Sequence, residues 1–160
     1  MNNKFEQEQS ALNESYKQSL KNKAERDPIN NKIIGIVDGD VLLYRACNKA
    51  IKENLDVRKT FDNIYEEVKM NTACDDYSLH ISGGGNFRKE IEQTFLKYKG
   101  KRREKPDNYL ECRDYVAKKY NPIMVPNYEA DDTASVEAYK YIKKNQLYML
   151  ITLDKDWKTI

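Results

Sequence analysis

The sequence is short of most features that would point to a membrane, a secreted scaffold or a zinc site. No stretch approaches the ~18 continuous apolar residues that a membrane span needs. The opening segment, MNNKFEQEQSALNESYKQSLKNKAERD, has no apolar core of the kind a secretory signal carries. Cysteine is sparse: Cys47, Cys74 and Cys112 are odd in number and share no CxxC spacing, so they read as reduced thiols of a cytoplasmic protein. There is one histidine, His80, in a strand-like run; zinc would need partners the sequence lacks, so it reads as a packed or surface residue. Charge of one sign is also missing. The net charge is only +2, so any preference among partners must come from where charges sit. No internal repeat or low-complexity segment is present.

What is there is enough for one domain. The chain has 160 residues, 39% apolar and 34% charged, and the apolar ones are clustered. Residues 1–30 read as a polar tail closed by Pro28, although Leu12, Tyr16 and Leu20 at i, i+4, i+8 allow a thin amphipathic helix. The folded region, 31–160, opens with a short β-branched run, IIGIV (33–37), that predicts a buried strand. A helix is predicted over 41–50, and Phe61, Ile64, Tyr65 and Val68 predict another over about 57–73. YSLHIS (77–82) alternates as a strand and ends at three glycines. A helix over about 108–119, a proline-bounded strand PIMVP (122–126), a helix over about 130–144 and a strand LYMLITL (147–153) follow. Strands alternating with helices predict an α/β fold, a mostly parallel twisted sheet covered by helices.

Acid follows three of these strands at once. Asp38 comes after the first, Glu129, Asp131 and Asp132 after PIMVP, and Asp154 and Asp156 after the last. In a parallel sheet all strand C-termini share one edge, so the three groups should converge there. Six carboxylates in one place repel one another, and bound cations relieve that. All-oxygen ligands suit Mg²⁺ or Mn²⁺. Two such ions can activate a water and stabilise the leaving oxygen of a phosphodiester. The competing reading is helix capping, since Asp and Glu favour helix N-termini; Asp40 in particular reads as a cap for the helix beginning at 41.

Residues 87–105 carry eight basic residues against three acidic ones, with Phe87, Phe95 and Tyr98 interleaved. Basic side chains neutralise phosphates and aromatic faces stack on unpaired bases. A solvated charged helix would look similar, but beside an acidic metal edge a phosphate-binding role is favoured.

Five segments in order, IVDGDVLLYRA (36–46), NFRKEI (86–91), YKGKR (98–102), EADD (129–132) and TLDKDWKTI (152–160), resemble the bacteriophage 5′-to-3′ exonucleases of the flap-endonuclease superfamily, which share a PIN-like α/β core. The resemblance covers about residues 33–160. It implies that Asp38, Glu129, Asp131, Asp132, Asp154 and Asp156 hold Mg²⁺ or Mn²⁺, as two ions. It implies that Arg88 and Lys99 contact the scissile phosphate, that Tyr98 lies near the cut nucleotide, and that 86–107 begins an arch for a 5′ single strand. Lys101, Arg102, Arg103 and Lys105 then contact the nucleic-acid backbone. The implied partner is DNA with a 5′ single-stranded end or flap, or an RNA–DNA hybrid, in the cytoplasm of an infected bacterium. A PIN-type ribonuclease and a non-catalytic nucleic-acid-binding fragment are the alternatives.

Two departures from the family pattern matter. Where the family commonly has an aspartate after the second strand, Gly83, Gly84 and Gly85 stand. The family also continues into a helix–hairpin–helix region that grips duplex DNA and adds acids to the second metal site. From these departures the chain is expected to be incomplete at its C-terminus, to expose apolar surface on one face of the sheet, to cut slowly at best, and to need a longer version or a separately encoded helical segment for full activity.

Overall fold

The computed structural model describes residues 32–85 and 104–154. The polar tail (1–30), most of the basic segment and Asp156 lie outside them. Strand β1 (Ile34–Asp38) leads directly into helix α1 (Gly39–Glu53), followed by α2 (Val57–Thr72), β2 (Asp76–His80), α3 (Tyr109–Tyr120), α4 (Ala130–Lys143) and β3 (Tyr148–Ile151). The sheet order is β2–β1–β3, and both pairings are parallel. The predicted α/β class with a parallel, helix-covered sheet is therefore present.

Each boundary has a local cause. Asp38 ends β1 and caps α1 by accepting from the Val41 amide at 3.2 Å. Asp56 caps α2 by accepting from the Arg58 and Lys59 amides at 2.8 and 3.3 Å. Asn54 and Asn121, at φ 51° and 45°, end α1 and α3 in the left-handed conformation that asparagine tolerates. Gly39 is required by packing: a Cβ there would lie 2.6 Å from the His80 carbonyl oxygen, so the first turn of α1 rests directly on the end of β2.

Central strand β1 is buried on both faces, as its apolar run predicts. Val37 joins Leu43, Cys47, Phe61, Leu79, Ile81, Cys112 and Val116 in a core beneath α1, α2 and α3. On the opposite face Ile36 packs against Ala130, Ala134 and Ala138 of α4, flanked by Tyr141, Tyr148 and Leu150. Alanines at i, i+4, i+8 let α4 approach the sheet closely. Outside this seam, Val136, Tyr139 and Ile142 of α4 and Met149 of β3 are exposed. No helix among the described residues is long and apolar enough to cross a membrane.

One predicted strand is corrected. PIMVP forms no strand beyond a single parallel bridge, Ile123 to His80 on the free edge of β2. Ile123 donates to the Leu79 carbonyl at 2.7 Å and accepts from the Ile81 amide at 3.1 Å. The ladder stops there because the chain turns away: the Gly83 amide, which would continue it to Val125, donates to the Tyr128 carbonyl at 3.0 Å, and the Val125 carbonyl accepts from the Tyr128 amide at 3.1 Å. The direction and position of the segment are nonetheless those of a parallel neighbour, and it delivers the chain to the N-terminus of α4.

Candidate active site

The C-terminal edge of the sheet collects the ends of β1, β2 and β3 and the start of α4. Two hydroxyls, each just beyond the end of a strand, connect them. Thr152, after β3, donates from Oγ1 to Asp38 Oδ2 at 2.7 Å and accepts from the Asp154 amide at 2.9 Å. Ser82, after β2, donates its amide and its hydroxyl to the Asp40 carboxylate. Its Oγ also accepts from the Ala130 amide at 3.2 Å, joining the first turn of α1 to the first residue of α4. Arg113 of α3 donates from Nη2 to the Ser82 carbonyl at 3.0 Å. Four elements thus meet at one serine.

Asp38 is the most constrained acid at this edge, only 4% exposed. Burial pushes its carboxyl above the ordinary aspartate range, against the lowering effect of its bonds from Thr152 and Val41; the negative charges of Asp40 and Asp154 push it further the same way. Asp40 and Asp154 therefore both lie within electrostatic reach of Asp38.

The EADD acids behave partly as caps. Glu129 precedes α4, and its amide donates to Asp132 Oδ2 at 2.9 Å in a capping box. Asp131 Oδ1 accepts from the Asp132 amide at 2.9 Å. Asp40 is a correction. The cap of α1 is Asp38, while Asp40, inside the first turn, turns to Ser82 instead.

Of the predicted site residues, Asp38, Glu129, Asp131, Asp132 and Asp154 all lie at this edge or at the start of α4. Among the described residues, however, no three of His, Cys, Asp or Glu close on a common point that could hold a metal ion. The donor set is still the right kind for a hard cation, carboxylate and hydroxyl oxygens around a buried aspartate with acidic neighbours. Arg88, Tyr98, Lys99, Lys101, Arg102, Arg103 and Asp156 are outside the described residues. Lys105 is exposed, with Nζ 4.5 Å from the centre of the Tyr109 ring.

Sequence reading passed over Ser82, Thr152, Arg113 and Tyr44. The tilted Tyr44 and Tyr109 rings lie with centroids 5.1 Å apart, and Tyr44 is 37% exposed near the acidic edge. The sequence offered no signal for the two hydroxyl residues, since both fall within runs read as strands, 77–82 and 147–153. His80 is fully buried as a structural residue, Nε2 lying 2.5 Å from Glu137 Oε2 and Nδ1 2.9 Å from Thr133 Oγ1.

The missing acid after β2 has a steric explanation. A Cβ at Gly83 would lie 1.9 Å from the Val125 carbonyl oxygen. The Gly83 amide donates to the Tyr128 carbonyl at 3.0 Å, and the Asn127 amide to the Gly84 carbonyl at 2.8 Å. The glycine turn is thus laced to the segment leading into α4, with no room for a side chain at 83. No protein-family model matches the chain, and no curated protein is significantly similar to it.

Proposed function

We propose that the chain is a divalent-metal-dependent phosphodiesterase acting on nucleic acid, specifically a 5′-to-3′ exonuclease or flap endonuclease working in the cytoplasm of a phage-infected bacterium. The observation that carries this reading is the meeting of acids from remote parts of the sequence at one sheet edge. Asp38, Asp40, Asp154 and the acidic start of α4 are brought there by Thr152 and Ser82. A buried aspartate with acidic neighbours is costly to keep ionised and useful if a cation is to be bound.

Asp38, Glu129, Asp131, Asp132, Asp154 and Asp156 would hold Mg²⁺ or Mn²⁺, as one or two ions. Such ions supply positive charge to the phosphate and lower the pKa of an attacking water. Thr152 holds the Asp38 carboxylate and Ser82 the Asp40 carboxylate by hydrogen bonds, which supports fixed positions for both acids. Arg88 and Lys99 meet the charge that develops on the reacting phosphate. Tyr98 stacks near the cut nucleotide, while Lys101, Arg102, Arg103 and Lys105 bind the flanking backbone.

The test is cleavage of a 5′-flap DNA duplex compared with single-stranded RNA, with Mg²⁺, Mn²⁺ or chelator. Flap cleavage that needs the metal is expected. Preferential RNA cleavage would favour a PIN-type ribonuclease, and binding without cleavage a non-catalytic fragment. Asp131→Asn should slow cleavage on the order of 10³-fold with binding largely retained. Parent-rate cleavage by that variant would remove Asp131 from the metal site.

A further inference from the structure

Among the described residues, the Lys and Arg ion pairs gather on α2 and α3. Arg58 pairs with Asp56 and Glu111, Lys69 with Glu66, and Lys119 with Asp62. On α1, Arg45, Lys49 and Lys52 are exposed and make no ion pair among the described residues. They stand at i, i+4, i+7, one stripe of a single helical face, spanning about 10 Å of helix axis at ~1.5 Å per residue. Phosphates of one DNA strand recur about every 3.4 Å along the duplex axis, so the stripe spans about three phosphate steps.

One further cation lies near α1. Lys105, the last of the basic segment, lies over the Tyr109 ring, Tyr109 contacts Tyr44, and Tyr44 is the neighbour of Arg45 in α1. Lys105 is therefore placed beside the second turn of α1, the helix that carries the stripe, through the Tyr109–Tyr44 ring pair.

We propose that the Arg45–Lys49–Lys52 face of α1 binds the phosphodiester backbone of the nucleic acid as it leaves the acidic edge. This rests on the nuclease reading for its substrate class, but the contact is electrostatic and does not require cleavage. The surface follows backbone charge without reading base sequence.

The experiment is binding of a fluorescein-labelled DNA duplex with a 5′ overhang, followed by anisotropy in chelator from roughly 50 to 200 mM KCl, the range over which phosphate contacts report themselves. Replacing Arg45, Lys49 and Lys52 together by alanine should weaken binding at least about tenfold at the low-salt end. It should flatten the log K against log salt slope by about 2 to 3, near 0.9 for each lost contact. The control replaces Lys140, Lys143 and Lys144, which lie in and just after the last turn of α4 on the opposite face of the sheet, and removes the same charge. All six positions are exposed, so unfolding transitions at the parent temperature should confirm intact folds. A parent slope in the α1 variant, or an equal loss in the α4 control, overturns the assignment. A parent that binds no DNA overturns both this surface and the nuclease reading. If the parent cuts flap DNA but the α1 variant keeps its slope, only this surface fails. If the α1 variant loses its slope while the parent never cuts, the surface stands and the proposed hydrolysis fails.

Discussion

Gly39 and Gly83 are the two residues at which the absence of a side chain decides the layout of the acidic edge. Gly39 lets the first turn of α1 sit on the His80 carbonyl, which places Asp38 and Asp40 on either side of a backbone contact. Gly83 lets the turn after β2 pass under Val125, which carries Ser82 to Asp40 and Ala130. A carboxylate at 83 would have to displace backbone, not the end of a flexible side chain. Gly83→Asp should therefore destabilise the fold by at least ~2 kcal/mol, as overpacking against a fixed main chain does, without adding a metal ligand. The urea midpoint measures this directly. A Gly83→Asp protein as stable as the parent would show that the turn can re-form around a side chain.

Among the elements, α4 carries the most of the proposed chemistry while burying the smallest side chains. Its alanine face gives close approach but little apolar area, so its attachment leans on a polar pair. Glu137 Oε2 lies 2.5 Å from His80 Nε2, and Tyr141 donates to Glu137 Oε1 at 2.6 Å. Burial pushes the Glu137 carboxyl up, but the hydrogen bonds from His80, Tyr141 and Ser78 outweigh it and hold it down at about 2, against an ordinary value of 4.5. A carboxyl depressed on folding adds stability that is fully present above its unfolded value and disappears as pH falls toward its folded one. For Glu137 the window runs from 4.5 down to about 2. Glu137→Gln should cost on the order of 1–3 kcal/mol at pH 7, because it removes the charge from a largely buried pair while keeping its shape. The difference from the parent should shrink across that acid window. Chemical denaturation at several pH values checks it, and a pH-independent difference would show that packing, not charge, holds α4 in place.

At the scale of the molecule, the acidic edge sets stability against the proposed metal binding. Asp38 has its carboxyl raised by burial and acidic neighbours, so its ionised form costs the fold stability once pH exceeds its folded value. An amide removes that cost and can still cap α1, since asparagine caps as well as aspartate. Asp38→Asn should therefore unfold at the same or a higher temperature than the parent in chelator. The parent should gain from Mg²⁺ by mass action: at a concentration 100 times the dissociation constant, about 2.7 kcal/mol, or roughly 5–10 °C for a domain of this size. The variant should lose most of that gain. Thermal scans with and without Mg²⁺ test both halves, and an unchanged Mg²⁺ response in Asp38→Asn would place the metal elsewhere.

The order and type of these elements were legible in the sequence because burial writes a period into it. β1 is a continuous apolar run since both its faces are covered, and Ala130, Ala134 and Ala138 recur at the helical step that faces β1. Of the three acid groups, Asp38 and Asp154 do stand at or just after the ends of β1 and β3, whose C-termini a parallel sheet puts on one edge, whereas Glu129, Asp131 and Asp132 follow a segment that forms no strand. PIMVP looked like a strand because its apolar run has a strand's length, but after one bridge the segment turns at Val125–Tyr128 and its bonds go into that turn, which no local pattern announced. Nothing local to Asp38 and Asp40 says which of them caps α1. That depends on Ser82, 42 residues away from Asp40, whose amide and hydroxyl satisfy the second carboxylate and free the first for the helix. The roles of Ser82, Thr152 and Arg113 belong to tertiary structure alone: hydrogen bonds between remote segments leave no period in the chain, so only the folded arrangement could assign them.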